Sequence, residues 1–144
     1  MSKKTRVLFL CTHNSARSQI AEGWLRQQYG DSFEAFSAGT EATAVRPLAI
    51  RAMQEVGVDI SRQESKTLDH YVGEPWDYVI TVCDQANQAC PMFPGGKHRL
   101  HWSLPDPSIA MGTEEQQLAV YREVRDGIRR RIDELVASTG GSGK

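Results

Sequence analysis

Apolar residues fall along this chain in two rhythms. Val7-Leu8-Phe9-Leu10 is an unbroken apolar run, the pattern of a central parallel strand covered on both faces. From Ser18 to about Tyr29 apolar positions recur at helical spacing, and Gly30-Asp31 stops the element. Glu34 to Gly39 reads as a second strand ending at a glycine turn. Pro47 then opens a helix whose apolar face is Leu48, Ile50, Ala52, Met53 and Val56, with Gly57 closing it. Asp59 to Tyr71 is polar and weakly patterned, a turn and short helix to which no chemistry is assigned. Trp76 to Val82 forms a third strand and Arg99 to Trp102 a fourth. Between them lie a short helix-compatible segment, Asp84 to Ala89, and the loop Pro91 to Gly96. After a second loop, Ser103 to Gly112, Thr113 and Gln116 make the capping-box pair of a last helix that runs to about Ala137. Tyr121, Val124, Ile128, Ile132 and Leu135 mark its buried stripe at steps of three or four.

Strand and helix alternate, which predicts an α/β domain of three layers, α/β/α, around a four-stranded parallel sheet. Residues 1–137 form the single domain, and the small, polar residues 138–144 read as a flexible tail. At 144 residues roughly 70% of the unfolded surface can be buried, so the core needs no metal or disulfide staple. The net charge of −1 supplies no long-range field for nucleic acid, and Arg129-Arg130-Arg131 is most simply a solvated helix end. No apolar run reaches membrane-spanning length and no signal-peptide apolar core follows Met1, so a cytoplasmic, monomeric protein without a membrane partner is expected. An odd number of cysteines, three, in a reducing compartment points to thiol chemistry rather than a disulfide framework.

The chemistry concentrates at the first strand-to-helix turn, Cys11-Thr12-His13-Asn14-Ser15-Ala16-Arg17-Ser18. A loop entering a helix points unpaired backbone N–H groups, and the positive end of the helix dipole, at whatever it encloses. Cys11 opens the loop and Arg17 ends it, so a nucleophilic sulfur lies at the centre while a guanidinium holds two oxygens of a tetrahedral anion. The helix end and the arginine favour the ionised sulfur, and Ser18 can donate its hydroxyl to it. Asn14 suits the left-handed backbone of so tight a loop. An isolated C-x5-R can equally be a buried cysteine followed by a solvated arginine. The strand before Cys11, the serine after Arg17 and the helix behind them weigh for the anion site.

The remaining cysteines sit elsewhere. Cys83 arrives at the carboxyl end of the third strand, on the same sheet edge as Cys11, where open parallel sheets bind their ligands. Cys90 follows seven residues later, about two helical turns or roughly 10 Å, too far for a disulfide unless the segment unwinds. Cys83, Cys90, His98 and His101 could together suggest zinc, but C-x6-C-x7-H-x2-H does not match the short knuckles of structural zinc sites, and no metal is expected. His13 faces the loop and His70 has no evident partner.

Cys11 to Ser18, taken with Asp106-Pro107 downstream, resembles the low-molecular-weight protein tyrosine phosphatase superfamily over nearly the whole chain. Two branches of that superfamily share the loop: one hydrolyses phosphotyrosine, the other reduces arsenate with electrons from thioredoxin. The resemblance implies Cys11 as nucleophile and residues 12–18 as the cradle for arsenate, with phosphate or sulfate as mimics. Asp106 is then the acid that protonates the departing hydroxyl. In the arsenate-reducing branch the second and third thiols of a relay fall at Cys83 and Cys90, leaving a Cys83–Cys90 disulfide for reduced thioredoxin, with no bound cofactor. The alternative is a phosphatase using Cys11, Arg17 and Asp106. Ser108-Ile109-Ala110 stands where the phosphatases carry aromatic residues, and Ala16 where they commonly carry a second cysteine, which favours the reductase. Some such reductases bind potassium beside the loop through an acid at the position of Lys66; here the lysine ammonium is expected to replace the cation.

Overall fold

The computed structural model describes residues 4–83 and 93–139. Four strands, β1 (Thr5–Cys11), β2 (Phe33–Gly39), β3 (Tyr78–Thr81) and β4 (His98–His101), form one parallel sheet in the order β2-β1-β3-β4. Three helices connect and cover them: α1 (Arg17–Tyr29), α2 (Pro47–Gln54) and α3 (Glu114–Thr139). The expected α/β architecture with four parallel strands is thus found. The chain leaves β1 for β2 on one side and later returns to β3 on the other, so the sheet order reverses at β1. A crevice opens outside the carboxyl end of the strand at such a switch point, and the residue there is Cys11.

Burial explains why β1 is central. Val7, Leu8, Phe9 and Leu10 are all fully buried. Val7 and Phe9 face a core that includes Ile20 and Leu25 of α1, Met53 of α2 and Leu118, Ile128 and Ile132 of α3. Leu8 and Leu10 face the opposite way, into a smaller cluster with Ala38, Trp76, Val79 and Phe93. Phe36, Tyr71 and Trp76 pack edge to face there, with centroids 5.2–5.6 Å apart, and Arg6 lies over the Trp76 ring.

Several element ends differ from the sequence reading, each for a local reason. β3 is shorter than Trp76–Val82 because Trp76 turns into the aromatic cluster and the Asp77 carboxylate caps the Arg6 amide at 2.8 Å. β4 spans His98–His101 with all four side chains exposed, as an edge strand permits, and Trp102 beyond it turns inward to within 6.1 Å of Phe9. α2 ends at Gln54 rather than Val56, and Gly57 adopts φ 80° just past it. α3 continues two residues into the expected tail, because the Ser138 and Thr139 hydroxyls donate back to the Leu135 and Val136 carbonyls. The capping box is realised in both directions: the Gln116 amide donates to Thr113 Oγ1 at 3.1 Å and the Thr113 amide to Gln116 Oε1 at 2.8 Å.

Glu55, just past α2, clamps α3 by accepting from Arg122 (2.7 and 2.9 Å) and from Arg125 (2.9 Å). Hydrogen bonds from Arg122 foremost, with Arg125 adding to them against a partial desolvation, pull the Glu55 carboxyl down to about 2. A carboxyl whose folded value lies below its unfolded one stabilises the fold above the unfolded value, and the benefit disappears as pH falls through the folded one. The melting temperature of the protein should therefore drop between pH of about 4.5 and about 2, and Glu55→Gln should flatten that part of a thermal-denaturation profile. An unchanged slope in the variant would remove the clamp.

Candidate active site

Cys11 ends β1 as a buried free thiol. The hydroxyl of Ser18, in the first turn of α1, lies 2.9 Å from its sulfur. Asn14 Nδ2 donates to that same hydroxyl oxygen at 2.8 Å, and the hydroxyl's own hydrogen is available to an ionised sulfur. Asn14 is the one residue other than glycine with positive φ, 50°, among the described residues. Every valence of its amide is used: Nδ2 also donates to Ser37 Oγ at 2.9 Å, while Oδ1 accepts from Gln19 Nε2 at 3.0 Å and from the Lys66 amide at 2.7 Å.

The loop carbonyls are drawn to one side by separate donors. The Thr12 carbonyl accepts from the Glu41 amide and Thr40 Oγ1, both at 3.0 Å. That of His13 accepts from Thr43 Oγ1 (3.1 Å) and Ser65 Oγ (3.2 Å). Those of Asn14, Ser15 and Ala16 accept from Gln19 Nε2, the Arg46 amide and the Ile20 amide at 3.0, 2.9 and 2.8 Å. None of these peptides is cis, so each outward carbonyl turns the next residue's N–H inward. The amides from His13 to Arg17 therefore face the inside of the loop, a ring of donors suited to a tetrahedral oxyanion. The buried Thr12 hydroxyl has no partner among the described residues.

Arg17 is 3% exposed; Nη1 donates to the Leu104 carbonyl at 3.0 Å, and Nη2 lies 3.6 Å from Asp106 Oδ2. Asp106 is held from its other oxygen, since Oδ1 accepts from the Ser108 amide (2.9 Å) and hydroxyl (2.7 Å). Ser108 thereby leaves Oδ2 as the oxygen nearer the arginine. Tyr121 of α3 is buried close enough to feel both Arg46 and Asp106, and desolvation pushes its phenol upward. On the rim His13 Nε2 sits 3.6 Å from Glu41. Cys83 is fully buried and disulfide-bonded, and its carbonyl accepts from the Leu104 amide at 3.4 Å. Leu104 thus touches the arginine of the loop through one end of its residue and Cys83 through the other. Cys90 lies outside the described residues.

Several residues that shape this site carried no signal in the sequence. The stretch 63–67, in which only Lys66 was given a role, braces the loop: Ser65 and Lys66 bind it directly, and Glu64 anchors Gln19. Ser37 donates to the buried carboxylate of Glu22, which also meets Arg26 Nη2 at 2.5 Å. A cation beside this network is Arg26, one helical turn from Glu22. The ammonium of Lys66 donates to the Glu64 carbonyl at 3.0 Å, the same carbonyl that accepts from Gln19 Nε2 at 2.9 Å. Among the described residues no group of three His, Cys, Asp or Glu side chains could hold a metal ion.

Gly39 reads in the sequence as a simple turn but is a steric necessity. A methyl there would lie 2.7 Å from the carbonyls of Cys11 and Thr12 and 2.8 Å from the Asn14 amide. Backbone atoms cannot yield as a flexible side chain does, so Gly39→Ala should push the loop off β2. Phosphate affinity measured by calorimetry is expected to fall about tenfold or more, with cooperative thermal unfolding retained. Unaltered affinity would show that the loop tolerates the displacement.

Comparison with known proteins agrees with this geometry. The family model of the low molecular weight phosphotyrosine protein phosphatases matches residues 6–142. An arsenate reductase of Halalkalibacterium halodurans is 48% identical over 140 residues, 97% of this chain and 99% of that protein. Among solved structures, an arsenate reductase in the phosphate binding state superposes with a TM-score of 0.80 at 34% identity, covering 93% of this chain and 98% of that one. A thioredoxin-dependent arsenate reductase of Corynebacterium glutamicum gives 0.68 at 35% identity, over 95% of this chain and 64% of that one. With a strand-end thiol, a ring of inward amides and a buried arginine at its mouth, the chain belongs to the low molecular weight phosphotyrosine protein phosphatase family.

Proposed function

We propose that this protein is a cytoplasmic, monomeric arsenate reductase that passes electrons from reduced thioredoxin to arsenate through Cys11, Cys83 and Cys90. The observation that carries the proposal is the Leu104 bridge. It ties the Cys83 backbone to the arginine of the anion loop, so that the strand end carrying the second cysteine is held against the same loop. A hydrolytic phosphatase has no use for a second cysteine there. The names of the relatives described above lend independent support.

In this reading arsenate sits on the amides of residues 12–18 and the Arg17 guanidinium. Cys11 attacks arsenic, and Asp106, steadied by Ser108, protonates the departing hydroxyl so that it leaves as water. The product is a covalent sulfur–arsenic(V) adduct. Cys83 then attacks the Cys11 sulfur: a sulfur–sulfur bond forms, the sulfur–arsenic bond breaks, and its electron pair stays on arsenic, which departs as arsenite. Cys90 displaces Cys11 from Cys83, restoring the first thiol and leaving a disulfide between the other two. Thioredoxin supplies the two electrons that reopen it. A free Cys11 and a disulfide-bonded Cys83 are consistent with the thiol states this scheme requires just before thioredoxin acts.

Two variants separate this chemistry from hydrolysis. Cys90→Ser, assayed with thioredoxin, its reductase and NADPH, should form one arsenite per enzyme and then stall; continued turnover would rule out the relay. Asp106→Asn should slow adduct formation about 10²-fold in rapid-quench experiments while leaving phosphate affinity near that of the parent. Brisk hydrolysis of a phenyl phosphate ester without arsenate reduction would place the protein among the phosphatases instead.

A further inference from the structure

Charged side chains gather at the mouth of the anion loop, and most of them have a local partner. Arg17 faces Asp106 at 3.6 Å, His13 faces Glu41 at 3.6 Å, and the Lys66 ammonium is held by the Glu64 carbonyl at 3.0 Å. Arg46 differs from these. It is exposed, and its side chain has no hydrogen-bond or ion-pair partner among the described residues. The acids near α2 are engaged by other guanidiniums: Glu114 meets Arg51 at 3.4 Å, and Glu55 holds both Arg122 and Arg125.

The chain around Arg46 fixes where it stands. Pro47 restricts the residue before it to extended backbone, and Arg46 has φ −67° and ψ 136°. Its amide donates to the Ser15 carbonyl at 2.9 Å, so the backbone pins this residue to the anion loop while the guanidinium stays free. On the other side, α3 packs both against α2, which begins just after Arg46, and against the turn Pro107–Ile109, which begins just after Asp106. Tyr121 of α3 belongs to the same buried cluster as Cys11 and Ala16 and lies close enough to Arg46 and Asp106 to feel both charges. It is 3% exposed, and its hydroxyl has no hydrogen-bond partner among the described residues. Desolvation holds the phenol in its protonated form, so it stays a donor.

These positions matter for an anion still in solvent. The carboxylate of Asp106 repels a doubly charged oxyanion on approach, and the buried Arg17 and the loop amides act only once the anion is inside. An exposed guanidinium pinned beside the same loop offsets that repulsion from outside. We propose that Arg46, together with the Tyr121 hydroxyl, forms an outer binding position where the incoming tetrahedral oxyanion is held before it enters the loop. The proposal rests on the reading of residues 12–18 as the oxyanion cradle. Once the anion is seated the sulfur chemistry is the same, so the effect belongs to capture and affinity.

The test is titration calorimetry of phosphate on the reduced protein, alongside the arsenate dependence of single-turnover arsenite release. Arg46→Ala should bind phosphate about tenfold more weakly and require about tenfold more arsenate for half-maximal release, with the saturating rate within about twofold of the parent. Arg46→Lys should keep most of the parental affinity, and Arg46→Glu should fall below the alanine variant. Salt at about 0.3 M should narrow the gap between parent and Arg46→Ala. Tyr121→Phe should weaken phosphate binding about threefold, and parental affinity there would remove the hydroxyl from the outer position. Equal phosphate affinity in the parent and Arg46→Ala would overturn the proposal. A slower saturating rate at unchanged affinity would overturn it too, since Arg46 would then only brace the loop. A parent protein that binds no phosphate would instead overturn the oxyanion-cradle reading on which the proposal stands.

Discussion

The structure depends on one buried amide. Asn14 holds the tightest point of the anion loop in a left-handed backbone conformation while its side chain ties four separate groups together: Ser18 of α1, Ser37 of β2, Gln19 of α1 and the amide of Lys66. Each such hydrogen bond contributes about 0.5–1.5 kcal/mol net, and a buried donor or acceptor left unmade costs about 1–3 kcal/mol. Because all four are satisfied together, the loop has one low-energy shape. That shape sends carbonyls outward and N–H groups inward, so the same bonds that fix the fold at this point also prepare the donors an oxyanion needs.

The sheet supplies the remaining geometry. Reversal of strand order at β1 opens the crevice beside Cys11, and the segments leaving β3 and β4 pass the same edge. Leu104, on the loop after β4, is the meeting point: its amide reaches Cys83 and its carbonyl reaches Arg17. Asp106 follows two residues later and is oriented by its own neighbour, Ser108. Cys11, Arg17, Asp106 and the Cys83 backbone are therefore positioned by backbone and short side-chain contacts, with α2 and α3 clamped behind them through Glu55.

Much of this could be read before any coordinates. The apolar run Val7–Leu10, the loop from Cys11 to Ser18 and the capping box at Thr113 are short-range patterns, and residues within about eight positions of one another report their own structure. What escaped the reading was long-range. Nothing in Gln63 to Thr67 announces that it will pair with Gly39 and Asn14, because those contacts lie 27 to 52 positions away. Gly39 looked like punctuation until the Cys11 and Thr12 carbonyls were found pressed against it. The pairing of Arg26 with the buried Glu22, and through it with Ser37 of β2, also had no local signature in the sequence. The arginine run 129–131 read as one solvated patch, yet its first member is stacked and paired while the other two have no such partner among the described residues.

Asn14→Gly offers the sharpest discrimination, because glycine accepts the left-handed backbone freely and removes only the side-chain bonds. Titration calorimetry of phosphate binding to the reduced variant and parent compares the loop with and without its brace. If four side-chain bonds set the direction of the loop amides, the variant should remain folded and bind phosphate about 10²-fold more weakly. Parental affinity in a folded Asn14→Gly protein would mean that backbone conformation alone forms the cradle, contradicting the role given to this amide.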